Sequence, residues 1–460
     1  MENIVAVVLA AGKGTRMKSK LPKVIHPIAG KPMAAHVLET VNGIGIERAL
    51  LVIGYGAGQV KEALGDEWEY VLQKEQKGTG HAVLQTKEAL FNDKGDVLIL
   101  YGDTPLLTQT IVEKLMKAHR KEQNDATVLT ARLSDPGGYG RIVRNQQGEV
   151  VRIVEHKDAT KDERGIDEVN TGIYCLRIEI LWEALDEVET DNQQNEMYLT
   201  DIFHILRDRK KKIGTVTTED IDEITGINSR QELAKAEKIM QDRLRNYWMS
   251  EGVTMIDPST VFIDKDVSLE ADVVLKPFTT LQGNTAIGED AEIGPQVQIK
   301  NTKIGSGAKV EQSVIMDSVL GDGSTVGPFA YIRPETVVSE SAKVGTFVEV
   351  KKSTIGPKSK VPHLSYVGDG VIGKGVNIGA GVIFVNYDGQ KKFVTNVEDG
   401  AFVGCNANLI APVTVKKGSY IAAGSTINKE VPEGALGIAR SRQENKLDWV
   451  KKRKGKQEKE

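Results

Sequence analysis

The second half of the chain keeps a six-residue beat that very few folds accommodate. Ile263, Leu269, Leu275, Leu281, Ile287, Ile293 and Ile299 stand six apart without a break. Leu320, Val326, Ile332, Val338, Val344 and Val350 repeat the spacing, and Val403, Leu409, Val415, Ile421 and Ile427 repeat it again. Gly or a small polar residue often follows the aliphatic, and Ala, Ser, Thr or Val often stands four after it. A period of six fits neither an isolated helix nor a plain hairpin sheet. It is the mark of a hexapeptide β-helix, in which each aliphatic points inward from a flat face and stacked turns share one core. One break matters most: between Val382 and Val403 the beat is lost over Asn386-Tyr387-Asp388-Gly389-Gln390-Lys391-Lys392. A loop expelled from a solenoid carries function or packs on a neighbour. With its polar tip, the loop Phe384 to Phe402 is expected to reach a neighbouring subunit rather than its own coil.

The first half follows another rule. Ile4-Val5-Ala6-Val7-Val8, Leu51-Val52-Ile53 and Asp96-Val97-Leu98-Ile99-Leu100-Tyr101 read as buried strands, alternating with helical runs around Met33 to Val41 and Thr110 to His119. Such alternation argues a mostly parallel α/β sheet, whose ligands bind beyond the carboxyl ends of the strands. Between the halves, Leu233, Ala236, Ile239, Met240, Leu244, Tyr247 and Trp248 recur at helical spacing, so residues 230–250 are expected to form a helical link between domains 1–229 and 251–460.

A chain of 460 residues is long enough for two or more domains, and its formal charge of -4 suggests neither a nucleic-acid coat nor a membrane-surface protein. Cys175 and Cys405 are the only cysteines, which leaves no disulfide framework and suits a reducing cytoplasm. No signal peptide and no membrane span are expected. The Lys-rich tail after Leu447 is read as mostly mobile.

At the exit of the first strand stands Leu9-Ala10-Ala11-Gly12-Lys13-Gly14-Thr15-Arg16-Met17, with Lys23 beyond. The dinucleotide fingerprint needs a small residue where this chain has Met17, and no Gly-x4-Gly-Lys-Ser/Thr loop is present. Glycines there let backbone N–H groups approach an anion, and Arg16 and Lys23 supply positive charge where a polyphosphate would lie. Asp103 closes a strand on the same sheet edge, and triphosphate chemistry needs Mg²⁺, for which one carboxylate suffices. Asn228, in Gly226-Ile227-Asn228-Ser229, is a candidate second ligand. In the second half His363 stands apart, the other six histidines all lying before residue 205. With Arg333 and Lys351 to hold a phosphate, a neutral imidazole there could take a proton from an attacking amine.

The opening string resembles the signature of the sugar-nucleotide pyrophosphorylases, a nucleotidyltransferase family. Gln73 with Gly78-Thr79-Gly80 is similar to that family's uracil-reading segment, and Gly140, Glu155 and Asn170 resemble its sugar-binding positions. From about Ile4 to about Arg440 the chain resembles the bacterial family of bifunctional N-acetylglucosamine-1-phosphate uridyltransferase/glucosamine-1-phosphate acetyltransferases. The resemblance implies an α/β Rossmann-like nucleotidyltransferase domain, a linking helix and an all-β left-handed parallel β-helix. It implies that Leu9, Ala10, Ala11, Gly12, Lys23, Gln73, Gly78, Thr79, Gly140, Glu155, Asn170 and Asn228 bind the nucleotide sugar, with Asp103 and Asn228 on Mg²⁺. Arg333, Lys351, Tyr366 and Asn377 would hold glucosamine 1-phosphate, with His363 as general base. Ala380, Asn386, Tyr387, Cys405, Ala423 and Arg440 match acetyl-CoA-binding positions, Cys405 departing from the serine often found there. The substrates would be acetyl-CoA and UTP, and the partner a second and third copy of the chain. Two other readings stand beside this one: a single-activity pyrophosphorylase with a regulatory β-helix, as in the ADP-glucose pyrophosphorylases, and a non-catalytic assembly protein.

Overall fold

The computed structural model describes residues 4–457 and divides the chain into two compact units, Met1–Arg243 and Leu244–Glu460. In the first unit Ile4–Ala10 is buried on both faces. Ile4, Ala6, Val8 and Ala10 enter one hydrophobic layer and Val5, Val7, Leu9 and Ala11 the other, which is the period-two alternation of a central strand. Helices Met33–Gly43, Ala57–Leu64 and Gln109–Lys121 feed the first layer, and Thr79–Leu84, Ile178–Leu185 and Ile202–Asp208 the second.

The sheet runs in the order Ile213–Thr218, Ala126–Arg132, Glu168–Arg177, Asp96–Tyr101, Ile4–Ala10, Ala49–Ile53, Glu69–Leu72. All pairings along it are parallel except those of Glu168–Arg177, which runs against both neighbours. A hairpin, Arg141–Arg144 with Val150–Val154, extends the sheet beside that strand. The expected parallel α/β architecture holds, with one reversed strand inserted. The turns after Ala10 and Tyr101 therefore open at one edge of two adjacent, parallel strands.

In the second unit every aliphatic of the six-residue series is buried. Ile263, Leu269 and Leu275 fall on three different sheets, and the next three residues of the series return to those sheets in the same order. The sheets hold ten, nine and eleven short parallel strands among the described residues, so the coil is a triangular prism with one core: the left-handed parallel β-helix. Each inward Val, Leu or Ile contributes roughly 1.5–3 kcal/mol by burial. Phe384 is the exception to the aliphatic rule, a fully buried ring in the row of Val350, Val367 and Leu409. A Cβ on Gly370 would lie 2.9 Å from that ring, so the missing side chain makes the room.

The helix Arg230–Ser250 occupies the expected span, and the two units divide within it. Ala236, Met240 and Leu244 form its buried stripe, whereas Tyr247, expected on that face, is half exposed. Two expectations need correction. The tail after Leu447 carries a short helix, Trp449–Gln457, with the Arg453 guanidinium 5.1 Å from the Trp449 ring. The expelled loop is shorter than expected, because Phe384 fills the core and Thr395–Val397 is already a strand, and residues between them fold back onto their own coil. Asn386 is buried and donates to Asp369 Oδ2 at 2.5 Å, and Phe393 N–H returns to Asn386 O at 2.8 Å.

Candidate functional sites in the two units

The opening loop leaves its strand through Ala11 and turns in a single 3-10 turn, Thr15–Met17. Gly14 has φ of 58°, and a Cβ there would stand 2.6 Å from Lys23 Cβ. Only glycine serves both needs, and its absence of side chain brings the Lys23 stem against the loop. The Lys23 ammonium donates to Asp103 Oδ2 and, at 2.9 Å, to Asn228 Oδ1. The Ile227 N–H bonds the Asp103 carbonyl at 2.9 Å, which locks the Asn228 segment to the end of the Asp96–Tyr101 strand.

These groups border a cleft of about 350 Å³ lined by Leu9, Ala10, Ala11, Gly12, Lys23, Gln73, Gly78, Thr79, Asp103 and Asn228. All ten were singled out from the sequence. Gln73 is buried and its amide nitrogen donates to Gly78 O at 3.2 Å. Gly78 has φ of 108°, and a Cβ there would meet the Met197 carbonyl at 2.5 Å, so the chain passes closely under residues 196–197. Gln76, Tyr101 and Glu196 also line the cleft and were not foreseen. Gln76 lies three residues past Gln73 in a segment already marked, but Glu196 comes from a distant loop and carries no local signal. Burial pushes the Tyr101 hydroxyl well above its usual range, with the Glu155 and Asp103 carboxylates adding to the effect, so it stays a neutral donor.

Arg16 is exposed on the Thr15–Met17 turn and does not line the cleft. Gly140, Glu155 and Asn170 also lie outside it. Asn170 N–H donates to Gly140 O at 2.9 Å at the bulge where Glu168–Arg177 shifts register, which unites those two. Glu155 instead borders a separate cavity of about 430 Å³ with Asp158, Tyr198, Asp201 and His204, and accepts from Thr200 Oγ1 at 3.1 Å. Burial raises its carboxyl above the ordinary range, and the Asp201 and Asp158 carboxylates push the same way.

Asp103 Oδ2 and Asn228 Oδ1 converge on a single cationic point, the Lys23 ammonium. Two hard oxygens around one positive charge fit Mg²⁺, which takes few protein ligands and fills the rest of its octahedron with water and phosphate. No group of three or more His, Cys, Asp or Glu side chains among the described residues could hold a metal.

In the second unit His363 ends the strand Lys360–His363 and is exposed at the corner where two faces of the prism meet. The corner repeats on the coils that follow. Gly381 N–H donates to His363 O at 3.4 Å, Asn406 N–H to Ala380 O at 2.7 Å, and Gly424 N–H to Cys405 O at 2.8 Å. His363, Ala380 and Cys405 thus form one column, continued by Ala423, and Arg440 Cδ lies 3.8 Å from where a Gly424 Cβ would be. On one flank of the corner, Glu349 pairs with Tyr366 and Lys351 with Gly368. Arg333 donates to Glu349 Oε1 at 2.7 Å. Asn377 lies on the other flank, paired with Lys360.

The expelled loop adds a residue that sequence reasoning gave no role. Lys392 stands beside Lys351, whose ammonium holds Lys392 below its usual range, with Tyr366 and Asp369 also near. Arg333, Lys351 and Lys392 make this flank a site for an anion. Tyr387 is exposed and bonds only within the loop among the bonds described, to Gly389 O at 2.6 Å. Cys405 and Cys175 are free thiols, the first exposed and the second buried.

Residues 5–252 match the nucleotidyl transferase family. The full chain is 52% identical over 460 residues to the bifunctional protein GlmU of Brevibacillus brevis, covering all of both chains. It is 51% identical over 453 residues to that of Halalkalibacterium halodurans, with 98% of this chain and 100% of the relative covered. It is 50% identical over 461 residues to that of Acetivibrio thermocellus, with both covered in full.

Proposed function

The chain belongs to the GlmU family of bifunctional proteins, and from that premise we propose how its residues divide two transferase reactions between two units. It is a bifunctional transferase of UDP-N-acetylglucosamine synthesis, with acetyltransferase and uridyltransferase activities. The observation that carries the division is the separation of two chemical constellations: Lys23, Asp103 and Asn228 in the first unit, and the His363 column in the second.

In the second unit, Arg333, Lys351 and Lys392 hold the phosphate of glucosamine 1-phosphate, with Tyr366 and Asn377 on its sugar. His363 takes a proton from the attacking ammonium, so the nitrogen lone pair can reach the thioester carbonyl. The C–N bond forms, the C–S bond breaks, and the departing thiolate takes up a proton to leave free CoA. Backbone N–H groups near Ala380 face the developing oxyanion. Acetyl-CoA runs along Ala380, Cys405, Ala423 and Arg440, with Asn386 and Tyr387 at the loop. A thiol is a weak hydrogen-bond donor, so Cys405, exposed in that column, serves through its backbone.

In the first unit, a phosphate oxygen of N-acetylglucosamine 1-phosphate attacks the α-phosphorus of UTP in line, and pyrophosphate leaves. Gln73, Gly78 and Thr79 read the uracil, Gly140, Glu155 and Asn170 receive the sugar, and Lys23, Arg16 and the Leu9–Gly12 backbone neutralise the triphosphate. Mg²⁺ bound by Asp103 and Asn228 would offset charge on the phosphate oxygens. Lys23, whose ammonium meets those same two oxygens, would then be free to face the phosphates.

Exposed Phe329 and Phe347 stack with ring centres 5.4 Å apart, and exposed Leu364 follows His363 directly. This apolar ridge beside the base supports a homotrimer in which a neighbouring copy completes the acetyl-transfer site. No helix among the described residues is long and apolar enough to cross a membrane, and we place the enzyme in the cytoplasm. The test is direct: the purified full chain should release CoA from acetyl-CoA with glucosamine 1-phosphate, and pyrophosphate from UTP with N-acetylglucosamine 1-phosphate. Release of only one product would sink the two-site reading.

A further inference from the structure

The helix Arg230–Ser250 begins two residues after Asn228, and its first turn is bonded in an unusual way. Ser229 Oγ accepts the Glu232 N–H at 3.2 Å, and Glu232 Oε2 accepts the Ser229 N–H at 2.9 Å, the reciprocal pair of a capping box. An ordinary box ends there. Here the same Glu232 oxygen also accepts the Asn228 N–H, at 2.6 Å. The Asn228 side chain is fixed separately, its Nδ2 donating to Gly226 O at 3.1 Å. Backbone and amide nitrogen are both engaged away from the cleft, so Oδ1 is left facing the cation point occupied by the Lys23 ammonium at 2.9 Å.

One residue before Gln231 in the same turn, Arg230 reaches the other side of the site. Its Nε donates to the Met17 carbonyl at 3.3 Å, closing the 3-10 turn that carries Arg16. Its Nη1 lies 3.3 Å from Nδ1 of His26, a buried imidazole three residues past Lys23. A single helical turn thus holds a metal-facing oxygen by a carboxylate and the phosphate-facing loop by a guanidinium.

We propose that Glu232 and Arg230 are positioning residues of uridylyl transfer: Glu232 presents Asn228 Oδ1 to the divalent cation, and Arg230 holds the Thr15–Met17 turn in place over the triphosphate. This rests on the reading of the first unit given above. Neither side chain touches substrate. Glu232 acts only through Asn228, so its loss should be felt only where the cation contributes. Arg230 acts through the loop backbone, so its loss should be felt with or without the cation. Outer groups that orient a metal ligand commonly change metal affinity by about 10- to 100-fold when removed.

The experiment is calorimetric binding of UTP to the full chain, with and without Mg²⁺, alongside initial rates of pyrophosphate release. Glu232→Ala and Glu232→Asp should bind UTP about 10-fold more weakly with Mg²⁺ and as tightly as wild type without it. Both should need more Mg²⁺ for half-maximal rate. Glu232→Gln, whose amide oxygen can accept the same two N–H bonds, should restore the metal-dependent affinity. Arg230→Met should weaken UTP binding under both conditions. A thermal melt of each variant reports that the first unit is folded, and release of CoA in the acetyl-transfer assay reports the same of the second. Equal UTP affinity of Glu232→Ala, Glu232→Asp and wild type in Mg²⁺ would overturn the proposal, as would a Glu232→Gln variant no better than alanine. Failure of the underlying reading looks different: wild type itself would then bind no UTP and release no pyrophosphate.

Discussion

The ammonium of Lys23, at the start of the 3-10 turn Lys23–Ile25, rests on the carboxylate of Asp103, 80 residues away in sequence and just past the strand Asp96–Tyr101. The pair neutralises a largely buried carboxylate and holds a positive charge at the cleft. In the proposed uridylyl transfer, a divalent cation held by Asp103 would leave the Lys23 ammonium to the phosphates.

Asp103→Ala should therefore lower UDP-sugar formation by at least about 10²-fold and leave acetyl transfer at its wild-type rate. The check is parallel measurement of pyrophosphate and CoA release by the same preparation. Equal loss of both, with the fold intact, would mean the sites are not separate.

For the second unit, His363→Ala should lower acetyl transfer on the order of 10²- to 10⁴-fold with uridylyl transfer unchanged. Near-normal CoA release by this variant would reduce His363 to a surface residue.

Glu155 predicts a pH effect on stability. Its folded carboxyl is raised by burial first and by the Asp201 and Asp158 carboxylates next, so folding favours its neutral form. The stability gained is full below the unfolded glutamate range of about 4.3 and is lost as pH rises through the raised folded value. Glu155→Gln removes this slope. Thermal melts from about pH 4 to 8 should show the variant gaining on wild type as pH rises; a constant difference would refute the assignment.

The apolar ridge tests assembly. Phe347→Asp places a charge on the stacked Phe329–Phe347 pair and should shift the chain from trimer to smaller species on sizing, with acetyl transfer lost and uridylyl transfer kept. A fully acetylating monomer of the intact chain would end the shared-site proposal.

Much of this architecture is written locally. Every inward aliphatic of the six-residue series entered the core because a triangular coil needs one such residue per face, and that need recurs at fixed spacing. The cleft was equally legible, because strand-end turns on one sheet edge converge whatever lies between them. What escaped depends on how distant segments return. Glu196 reaches the cleft because residues 196–197 pack over Gly78, and Lys392 meets Lys351 because the expelled loop folds back through Asn386 and Asp369. The polar tip of that loop suggested departure; the buried Asn386 amide shows why its base stays.

Phe384 fills the core at the base of the loop. Phe384→Ala would open a cavity at the neck and cost about 3–5 kcal/mol, measurable as a lowered denaturation midpoint of the second unit. A cost under about 1 kcal/mol would mean the Gly370 side simply collapses inward.

The column from His363 to Ala423 has a metric property. Successive strands of a sheet lie about 4.8 Å apart, so the three steps through Ala380, Cys405 and Ala423 measure roughly 14 Å along the prism. In the proposed acetyl transfer, a thioester laid on that edge would be gauged against a ruler with fixed graduations, its reactive end at the histidine and its charged end near Arg440. Adding or deleting one coil between them would move the two marks by a whole graduation, about 4.8 Å, far more than a reacting carbonyl tolerates. Between His363 and Arg440, then, whole coils are counted, whereas the residues of the loop between Phe384 and Thr395 are not.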